Sequence, residues 1–414
     1  MACRLPVRGP HMLSFPPPDT LLTLLRDHPL PAAVVDLDAF DHNVGLFCRA
    51  LPDSITLRIA TKSIRVPALI QRAQRIGGSR IRGLMTFSAA ECALLADCGF
   101  QDLLLAYPVS TPHDARILAR LAADSVELRV TVDHADQLPM LSHAAEEAST
   151  HINICMDVDM STRLPGIGHV GVRRSPIQTV THAVDLAHHI ARTPGLHLDS
   201  ILGYEAQVAG LADHNPRNQP WMDPIRRRIK ALATPTLQQR RQQVVQGVRD
   251  AGFPVTIVNG GGSGSLFSTI RDPSITEITV GSGFMDSTLF DHYDRLPLKP
   301  ALYVVLPVTR HPAPGFITCH GGGFIASGPP AADRTPSVVY PAGLAPLERE
   351  GWGEVQTPFS VAASHPTPAI GDLVWCRPAK AGEPLERFDA CTLISASEPP
   401  ERVPTYRGLS SVFT

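Results

Sequence analysis

The chain has 414 residues, of which 43% are hydrophobic and 18% are charged, which excludes a disordered or fibrous protein. This length exceeds the roughly 100–200 residues of one ordinary domain, so we expect a large barrel with an additional domain. The 37 basic and 39 acidic residues leave a net charge of −2, which excludes a bulk electrostatic attraction to nucleic acid or a membrane. No apolar run has the about 18 residues of a membrane span, and prolines interrupt the N-terminal segment where a signal peptide needs an apolar core. We therefore expect a cytoplasmic protein.

The cysteine and lysine content indicates which kinds of chemistry the protein can use. The eight cysteines are scattered and form no CxxC pair, so we expect no disulfide scaffold. Of the 37 basic residues only four are lysines, at positions 62, 230, 299 and 380. A lysine amine forms Schiff bases and an arginine guanidinium does not, so each lysine is a candidate for chemistry.

From residue 30 onward, short apolar runs alternate with amphipathic stretches. Apolar runs of this length are typical of strands buried on both faces, and the stretches between them have the three-to-four spacing of helices. Eight such units predict a (β/α)8 barrel, and a doubly wound open sheet is the alternative. The predicted strands are 33–38, 57–62, 83–88, 102–108, 127–134, 152–159, 198–205 and 256–263.

Two further regions differ from this alternation. The insert between the predicted seventh and eighth strands reads as one extended helix over 221–252, with a solvated basic and glutamine-rich face. After residue 295 prolines become frequent and helical periodicity ends, which predicts a β-rich second domain. We therefore expect an N-terminal segment that packs on the C-terminal lobe, a barrel and a β-rich domain, over residues 1–30, 31–295 and 296–414.

Two motifs carry chemistry. Lys62 ends the predicted second strand, at the edge of the barrel where catalytic groups lie. The run VNGGGSGS (258–265) follows the predicted eighth strand, and consecutive glycines let backbone N–H groups converge on an anion. A second small-residue turn, VGSG, occupies 280–283. A surface lysine and a tight turn are the alternatives for each motif alone. Together the two motifs suggest a phosphorylated aldehyde, pyridoxal 5'-phosphate (PLP), bound as an imine.

With these motifs the sequence resembles the fold-type III PLP enzymes, in the branch of D-threonine aldolase and D-serine dehydratase-like proteins. The resemblance covers nearly the whole chain and rests on PAAVVDLDAFDHNV, RIATKS, MDVDMSTRLPGIG, ILGYEAQVAG, NGGGSGS and EITVGSGFMDSTLFDHY. It implies an alanine-racemase-like fold, with a (β/α)8 barrel and a mostly-β C-terminal domain, and a homodimer. It also implies that Lys62 is the Schiff-base lysine, that Tyr204 lies beside the cofactor and that Arg163 lies near its ring or the substrate carboxylate. The implied phosphate loops are Gly261, Gly262, Ser263 and Gly264, with Gly281 and Ser282 adjoining.

The sequence departs from this branch at two places. Relatives usually carry a metal-binding His-x-Cys or His-x-Asp in the C-terminal domain, after a GDxV turn and a proline. Here GDLVWCRP is followed by AKAGEPLERFD, with no histidine or cysteine in that place, so a divalent metal is undecided. Lys380 stands where the metal-binding histidine would be, and we hypothesise that its ammonium replaces the metal at the β-hydroxyl of the substrate. Gln207 replaces a histidine after Tyr204, and His320, or less strongly His365, could supply the missing base.

The resemblance implies a lyase acting on a D-3-hydroxy amino acid. We expect retro-aldol cleavage to glycine and an aldehyde ahead of dehydration and deamination. An amino acid racemase is the enzymatic alternative. It needs a second base, commonly a tyrosine from the C-terminal lobe of a partner subunit, and Tyr303 and Tyr340 are available but lack the family's sequence context. A PLP carrier or homeostasis protein is the alternative outside catalysis, although such proteins are usually the barrel alone. A barrel that binds another phosphate ligand is the last alternative.

Overall fold

The computed structural model describes residues 17–164, 166 and 168–413. Its strands are β1 Ala32–Asp36, β2 Thr56–Ala60, β3 Ile81–Thr86, β4 Asp102–Leu105, β5 Glu127–Val132, β6 Ile152–Asp157, β7 Thr162–Leu164, β8 Gly168–Val170, β9 Leu196–Gly203, β10 Ile257–Gly260, β11 Glu277–Val280, β12 Leu302–Arg310, β13 Phe316–His320, β14 Ser337–Tyr340, β15 Leu344–Pro346, β16 Gln356–Val361, β17 Leu373–Arg377, β18 Ala390–Ile394 and β19 Glu401–Pro404. Its helices are α1 Asp19–Arg26, α2 Leu37–Ala50, α3 Pro67–Gly77, α4 Ala89–Asp97, α5 Pro112–Ala123, α6 Leu138–Glu147, α7 Val180–Arg192, α8 Ala206–Ala209, α9 Asp223–Asp250, α10 Leu266–Thr269, α11 Ser282–Met285 and α12 Gly382–Leu385.

Eight parallel strands form a closed barrel in the order β2, β3, β4, β5, β6, β9, β10 and β11. The prediction of a (β/α)8 barrel with a mostly-β C-terminal domain is confirmed. Three of the helices between the strands, α4, α5 and α7, begin at serine or threonine caps, which satisfy an N–H group of the helix N-terminus. Ser88 caps α4 by accepting a hydrogen bond from the Glu91 N–H, and Thr111 caps α5 in the same way. The apolar faces of these helices and the outer faces of the strands share one continuous core.

The predicted first barrel strand, 33–38, is wrong. β1 instead pairs antiparallel with β12 and parallel with β18, inside the nine-stranded sheet of the C-terminal domain. A strand buried on both faces has the same apolar run in either sheet, so its sequence does not reveal its partners. The eighth barrel strand is β11, which closes the barrel against β2. Lys62 therefore follows the first barrel strand, and the loops at 261–265 and 281–283 follow the seventh and eighth.

The C-terminal sheet runs in the order β15, β16, β13, β12, β1, β18 and β19, with β17 also pairing to β12 and β14. Helix α1 packs on this sheet, where Leu21 and Leu25 join a core that includes Tyr303 and Trp375. The rest of the segment for which packing on this lobe was predicted, residues 1–16, lies outside the described residues. No helix of the described chain is long and apolar enough to cross a membrane.

The insert between β9 and α9 connects the barrel to the C-terminal domain. The amide of Asn215 donates a hydrogen bond to Asp333 Oδ2 at 2.7 Å. Arg217 donates to Ser337 Oγ at 2.8 Å and to Thr335 Oγ1 at 3.0 Å. The predicted helix over 221–252 is observed as α9, preceded by a short 3-10 turn. The insert thus covers one side of the barrel mouth.

Candidate active site

A cavity of about 620 Å³ lies at the carboxyl ends of the barrel strands, between the barrel, the insert and the C-terminal domain. This volume is typical of a small-molecule site, and this end of a (β/α)8 barrel is the one that carries catalytic groups. The polar residues that line it are Lys62, Ser63, Arg65, Thr86, Tyr107, Arg174, Tyr204, Asn215, Asn218, Arg226, Asn259, Ser263, Thr279, Ser282, Tyr293, Ser327, Asp333, Arg334, Lys380 and Glu383.

Lys62 lies on a 3-10 turn that directly follows β2. Thr61 anchors this turn to the next strand by donating its hydroxyl proton to Met85 O at 2.9 Å. The Lys62 ammonium donates a hydrogen bond to the Tyr107 hydroxyl at 3.1 Å, from the end of β4. Burial alone would raise the pKa of Tyr107, but the charge and hydrogen bond of Lys62 lower it overall. Lys62 is thus held at the barrel mouth by a phenol that is polarised toward its ionised form.

The two glycine loops lie side by side at the barrel mouth. Ser263 Oγ accepts a hydrogen bond from the Gly283 N–H at 3.0 Å, which joins the loop after β10 to the loop after β11. A Cβ on Gly262 would lie 3.3 Å from the Tyr204 ring, and one on Gly281 would overlap the carbonyl of Ala60. Glycine is therefore required at position 281, where a backbone oxygen leaves no room for a side chain, whereas at position 262 a side chain would need its neighbours to give by a few tenths of an ångström.

A buried carboxylate fixes the first glycine loop from behind. Glu205 accepts a hydrogen bond from the Gly261 N–H at 3.0 Å and is paired with Arg241 at 2.6 Å. Arg241 also pairs with Asp272 at 2.7 Å, so the guanidinium charge is placed between two carboxylates inside the core. This arrangement sets the path of residues 260–265 before any ligand binds. Gly264, the last residue of the expected phosphate loop, does not line the cavity, and a Cβ there would overlap Ala209 O and the Tyr293 ring.

Tyr204 follows β9, lines the cavity as expected and presents its ring beside the glycine loops. Burial raises its pKa to about 12, so the phenol stays protonated. Arg174, and not the predicted Arg163, lies over this ring, with its guanidinium carbon 5.0 Å from the ring centroid. Arg163 is exposed on the β7–β8 hairpin, opposite His169. The sequence placed an arginine in the right segment but eleven residues too early, because the β7–β8 hairpin lies between Arg163 and the return of the chain to the cavity.

Lys380 follows β17 and reaches the cavity, as predicted. Its ammonium donates to Ser327 O at 3.0 Å and to Ser327 Oγ at 2.7 Å, and it lies 3.5 Å from Glu383 Oε1. The loop that carries it packs against the Lys62 turn, since a Cβ on Gly382 would overlap Lys62 O. A basic group of the C-terminal domain thus lies beside the Lys62 turn of the barrel.

The histidines proposed as bases lie elsewhere. His320 is exposed at the end of β13 and pairs in register with Gln356, and His365 is exposed in the loop after β16. His320 is the last residue of β13, where the strand leaves the buried residues 317–319, and it does not line the cavity. Gln207 is buried and donates to Met160 O at 2.6 Å, so it supports the structure and does not face the cavity. Tyr303 and Tyr340, the candidate racemase bases, pack in the core beneath α1.

Several residues of the cavity were not predicted. Thr279 donates to Asn259 Oδ1 at 3.0 Å, and Asn259 donates to the buried Glu277 at 2.7 Å, which places both side chains on the cavity floor. Tyr107 ends the apolar run LLLAYP, where a polar-tipped aromatic at a strand end was an available signal. Ser327 lies in a loop without a motif, and only the folded chain brings it beside Lys380.

These residues fit PLP. Lys62 supplies an amine for the aldehyde, and the Tyr204 ring supplies an apolar surface for the pyridine. Ser263 and Ser282 are the first residues of short helical turns, so their N–H groups have no partner within those turns and are available to a phosphate. The glycines beside them leave space that a Cβ would fill. The barrel, the lysine at the end of its first strand and the paired glycine loops define a PLP-binding barrel of fold type III.

Comparison with known proteins supports this assignment of the fold. The family model for the alanine racemase N-terminal domain matches residues 35–285, and the chain belongs to this family. The chain is 25% identical over 343 residues to the D-threonine aldolase of Arthrobacter sp, covering 81% of this chain and 83% of that protein. It is 25% identical over 303 residues to the 3-hydroxy-D-aspartate aldolase of Paracoccus denitrificans (strain Pd 1222), covering 70% and 71%. Among solved structures, a mutant D-threo-3-hydroxyaspartate dehydratase in the metal-free form is 17% identical, with a TM-score of 0.72 over 92% of this chain and 98% of that one.

Proposed function

We propose that this chain is a PLP-dependent lyase acting on D-3-hydroxy amino acids, by retro-aldol cleavage or by dehydration and deamination. The observation that carries the proposal is Lys62, which shares one cavity with both glycine loops and Tyr204. The relatives named above act, by their names, on D-threonine and 3-hydroxy-D-aspartate. A PLP carrier does not need the C-terminal loops that complete this cavity. Tyr303 is fully buried beneath α1, which does not fit a racemase base supplied to a partner subunit.

The roles of the residues follow from their positions. PLP, when bound, withdraws electrons from Cα of an amino acid joined to it and so weakens the bonds at that carbon. Lys62 Nζ would hold the aldehyde carbon and then move the proton at Cα. The glycine loops would hold the phosphate with N–H groups, and Tyr204 would support the ring from one face. Arg174, beside Tyr204, supplies a cation that suits the substrate carboxylate.

We also propose that the protein is a cytoplasmic homodimer. Of the domain limits expected from the sequence, 1–30, 31–295 and 296–414, we retain the boundary near 295, whereas β1 belongs to the sheet of the C-terminal domain. The family resemblance supports the dimer. Lys62, Tyr204 and Arg163 were the three residues proposed around the cofactor ring; we retain the first two and replace the third by Arg174, on the basis of the cation–ring distance.

The proposal is tested by incubating the purified PLP-bound protein with D-threonine, D-serine and D-3-hydroxyaspartate. The L-enantiomers and the variant Lys62→Ala serve as controls. We expect turnover of at least one D-3-hydroxy amino acid and a loss of at least about 1000-fold in Lys62→Ala, which lacks the amine for covalent catalysis. Turnover of none of these substrates, or racemisation without bond cleavage at C3, would overturn the proposal.

A further inference from the structure

Lys380 stands in the sequence where the resemblance implies a metal-binding histidine, and the residues around it do not fit a metal. One solved relative is described in a metal-free form, which implies a metal in that protein. Among the described residues of this chain, no group of three or more His, Cys, Asp or Glu side chains could hold a metal ion. The cavity wall instead carries an ammonium, which is a donor with no lone pair and cannot ligate a metal while protonated.

The Lys380 ammonium is held in a defined position. Two of its N–H groups are directed to the carbonyl and hydroxyl oxygens of Ser327, at 3.0 and 2.7 Å. Its contact with Glu383 at 3.5 Å is at the outer limit of a hydrogen bond, so a substrate oxygen can compete for the third N–H. The side chain is 37% exposed toward the cavity, which leaves it accessible to a ligand.

Few side chains that line the cavity can accept a proton. None of the described histidines lines the cavity, and its two carboxylates, Asp333 and Glu383, are both engaged. Asp333 accepts from Asn215, and Glu383 accepts from the N–H and hydroxyl of Ser327. Partial burial alone would raise the pKa of Glu383, but the Ser327 hydrogen bonds and the Lys380 charge hold it below its ordinary value. Glu383 therefore stays ionised beside the Lys380 ammonium.

Retro-aldol cleavage and dehydration make opposite demands at the C3 hydroxyl. Retro-aldol cleavage needs a base that removes the hydroxyl proton, whereas dehydration needs an acid that protonates the departing oxygen. We propose that Lys380 is the catalytic acid for the C3 hydroxyl, and that this chain is a metal-independent dehydratase of D-3-hydroxy amino acids. This inference rests on the proposed function and selects dehydration from the two reactions proposed there.

The step balances without a further reactant. Lys62 Nζ takes the Cα proton, and the electron pair left behind forms the bond between C2 and C3 as the C3–O bond breaks. The oxygen leaves with the electron pair of that bond, takes a proton from Lys380 Nζ and departs as water. Hydrolysis of the released enamine gives a 2-oxo acid and ammonia, and solvent returns the proton to Lys380. Nothing is oxidised or reduced overall.

The experiment compares the holoenzyme with Lys380→Met, Lys380→Arg and a matched control outside the cavity, Lys299→Met. Products from D-serine, D-threonine and D-3-hydroxyaspartate are identified, and exchange of the Cα proton is followed by NMR in D₂O. We expect 2-oxo acid and ammonia from the wild type and from Lys299→Met. In Lys380→Met we expect Cα exchange to persist while 2-oxo acid formation falls at least about 100-fold. Lys380→Arg should stay low, because a guanidinium does not release its proton.

A second readout does not depend on turnover. The wild type, washed with chelator, is analysed for metal content and titrated with MnCl₂ in a calorimeter, and we expect no stoichiometric binding and no loss of activity. Stoichiometric Mn²⁺ binding with chelator-sensitive activity would overturn the inference, as would glycine and aldehyde as the main products, or Lys380→Met activity within threefold of the wild type. If the wild type shows neither Cα exchange nor product, the proposed function itself fails.

Discussion

The glycines of the two loops determine how closely a ligand can approach the backbone. A Cβ on Gly281 would overlap Ala60 O and lie 2.9 Å from Ala60 Cβ, and both are parts of the strand that leads into the Lys62 turn. These contacts are with backbone and a short side chain, which have no rotamer to change. By contrast, a Cβ on Gly45 in α2 would meet only the end of the flexible Arg49 side chain, 2.7 Å away.

This difference makes a matched pair of glycine substitutions informative. We expect Gly281→Ala to weaken PLP binding at least about tenfold, because the loop after β11 or the Lys62 turn has to move. Gly45→Ala should leave PLP binding unchanged and stabilise the fold by about 0.5–1 kcal/mol, as helix-interior alanine does. PLP titration followed by absorbance and urea unfolding measure the two effects. Equal PLP affinities in the two variants would contradict the close packing described for Gly281.

At the scale of elements, the sequence predicted the type of most segments but not all of their partners. Periodicity identified the barrel helices and seven of the eight barrel strands, because apolar spacing is a local property of the chain. It failed for β1 and overlooked β11, whose four buried residues, EITV, are too few to distinguish a strand from a core turn. Strand partners depend on contacts across the molecule, and a short apolar run does not encode them.

The same reasoning explains the outcome for the site. Lys62 and the glycine loops were predictable because rarity, strand-end position and glycine runs are local signals. Arg174 and Ser327 were not, because their positions depend on how the β7–β8 hairpin and the C-terminal loops return to the barrel. The exposed His320 shows the opposite error, in which a reactive residue type near a motif was assigned a role although it lies at the end of β13, outside the cavity.

At the scale of the whole molecule, the segment around Tyr406, near the C-terminus, is hydrogen-bonded to the barrel next to the Lys62 turn. The Tyr406 hydroxyl donates to the buried Glu91 Oε1 at 2.9 Å, and the Tyr406 N–H donates to Arg65 O at 2.9 Å. Arg65 in turn donates to Lys62 O at 3.2 Å and pairs with Glu386 of the C-terminal domain. The turn that carries the candidate catalytic lysine is therefore supported by residues from both domains.

Glu91 makes the contact between the Tyr406 segment and the barrel sensitive to pH. Burial raises its pKa to about 7 from 4.5, although hydrogen bonds from Thr61, Phe87 and Tyr406 oppose the change. Between these values the folded state binds more protons than the unfolded state, so the contribution of Glu91 to stability is present below about pH 4.5 and declines as the pH rises to 7.

Replacing Glu91 by glutamine removes this decline. We expect the free energy of unfolding of Glu91→Gln, relative to the wild type, to rise by up to about 3 kcal/mol between pH 4.5 and 8. Urea unfolding at several pH values measures this difference, with the exposed Glu350→Gln as the control, for which no such rise is expected. A constant difference between Glu91→Gln and the wild type over this range would show that Glu91 does not titrate near neutrality.

The most direct measurement of the central claim is the absorbance spectrum of the purified protein before and after borohydride, followed by peptide mapping. Within the described cavity, Lys62 lies on the turn after β2, beside the glycine loops, and Lys380 belongs to the C-terminal domain. We predict a visible absorbance band that borohydride removes, and a reduced pyridoxyl group on the peptide that contains Lys62. An adduct on Lys380, or no adduct after PLP has been added, would contradict the account.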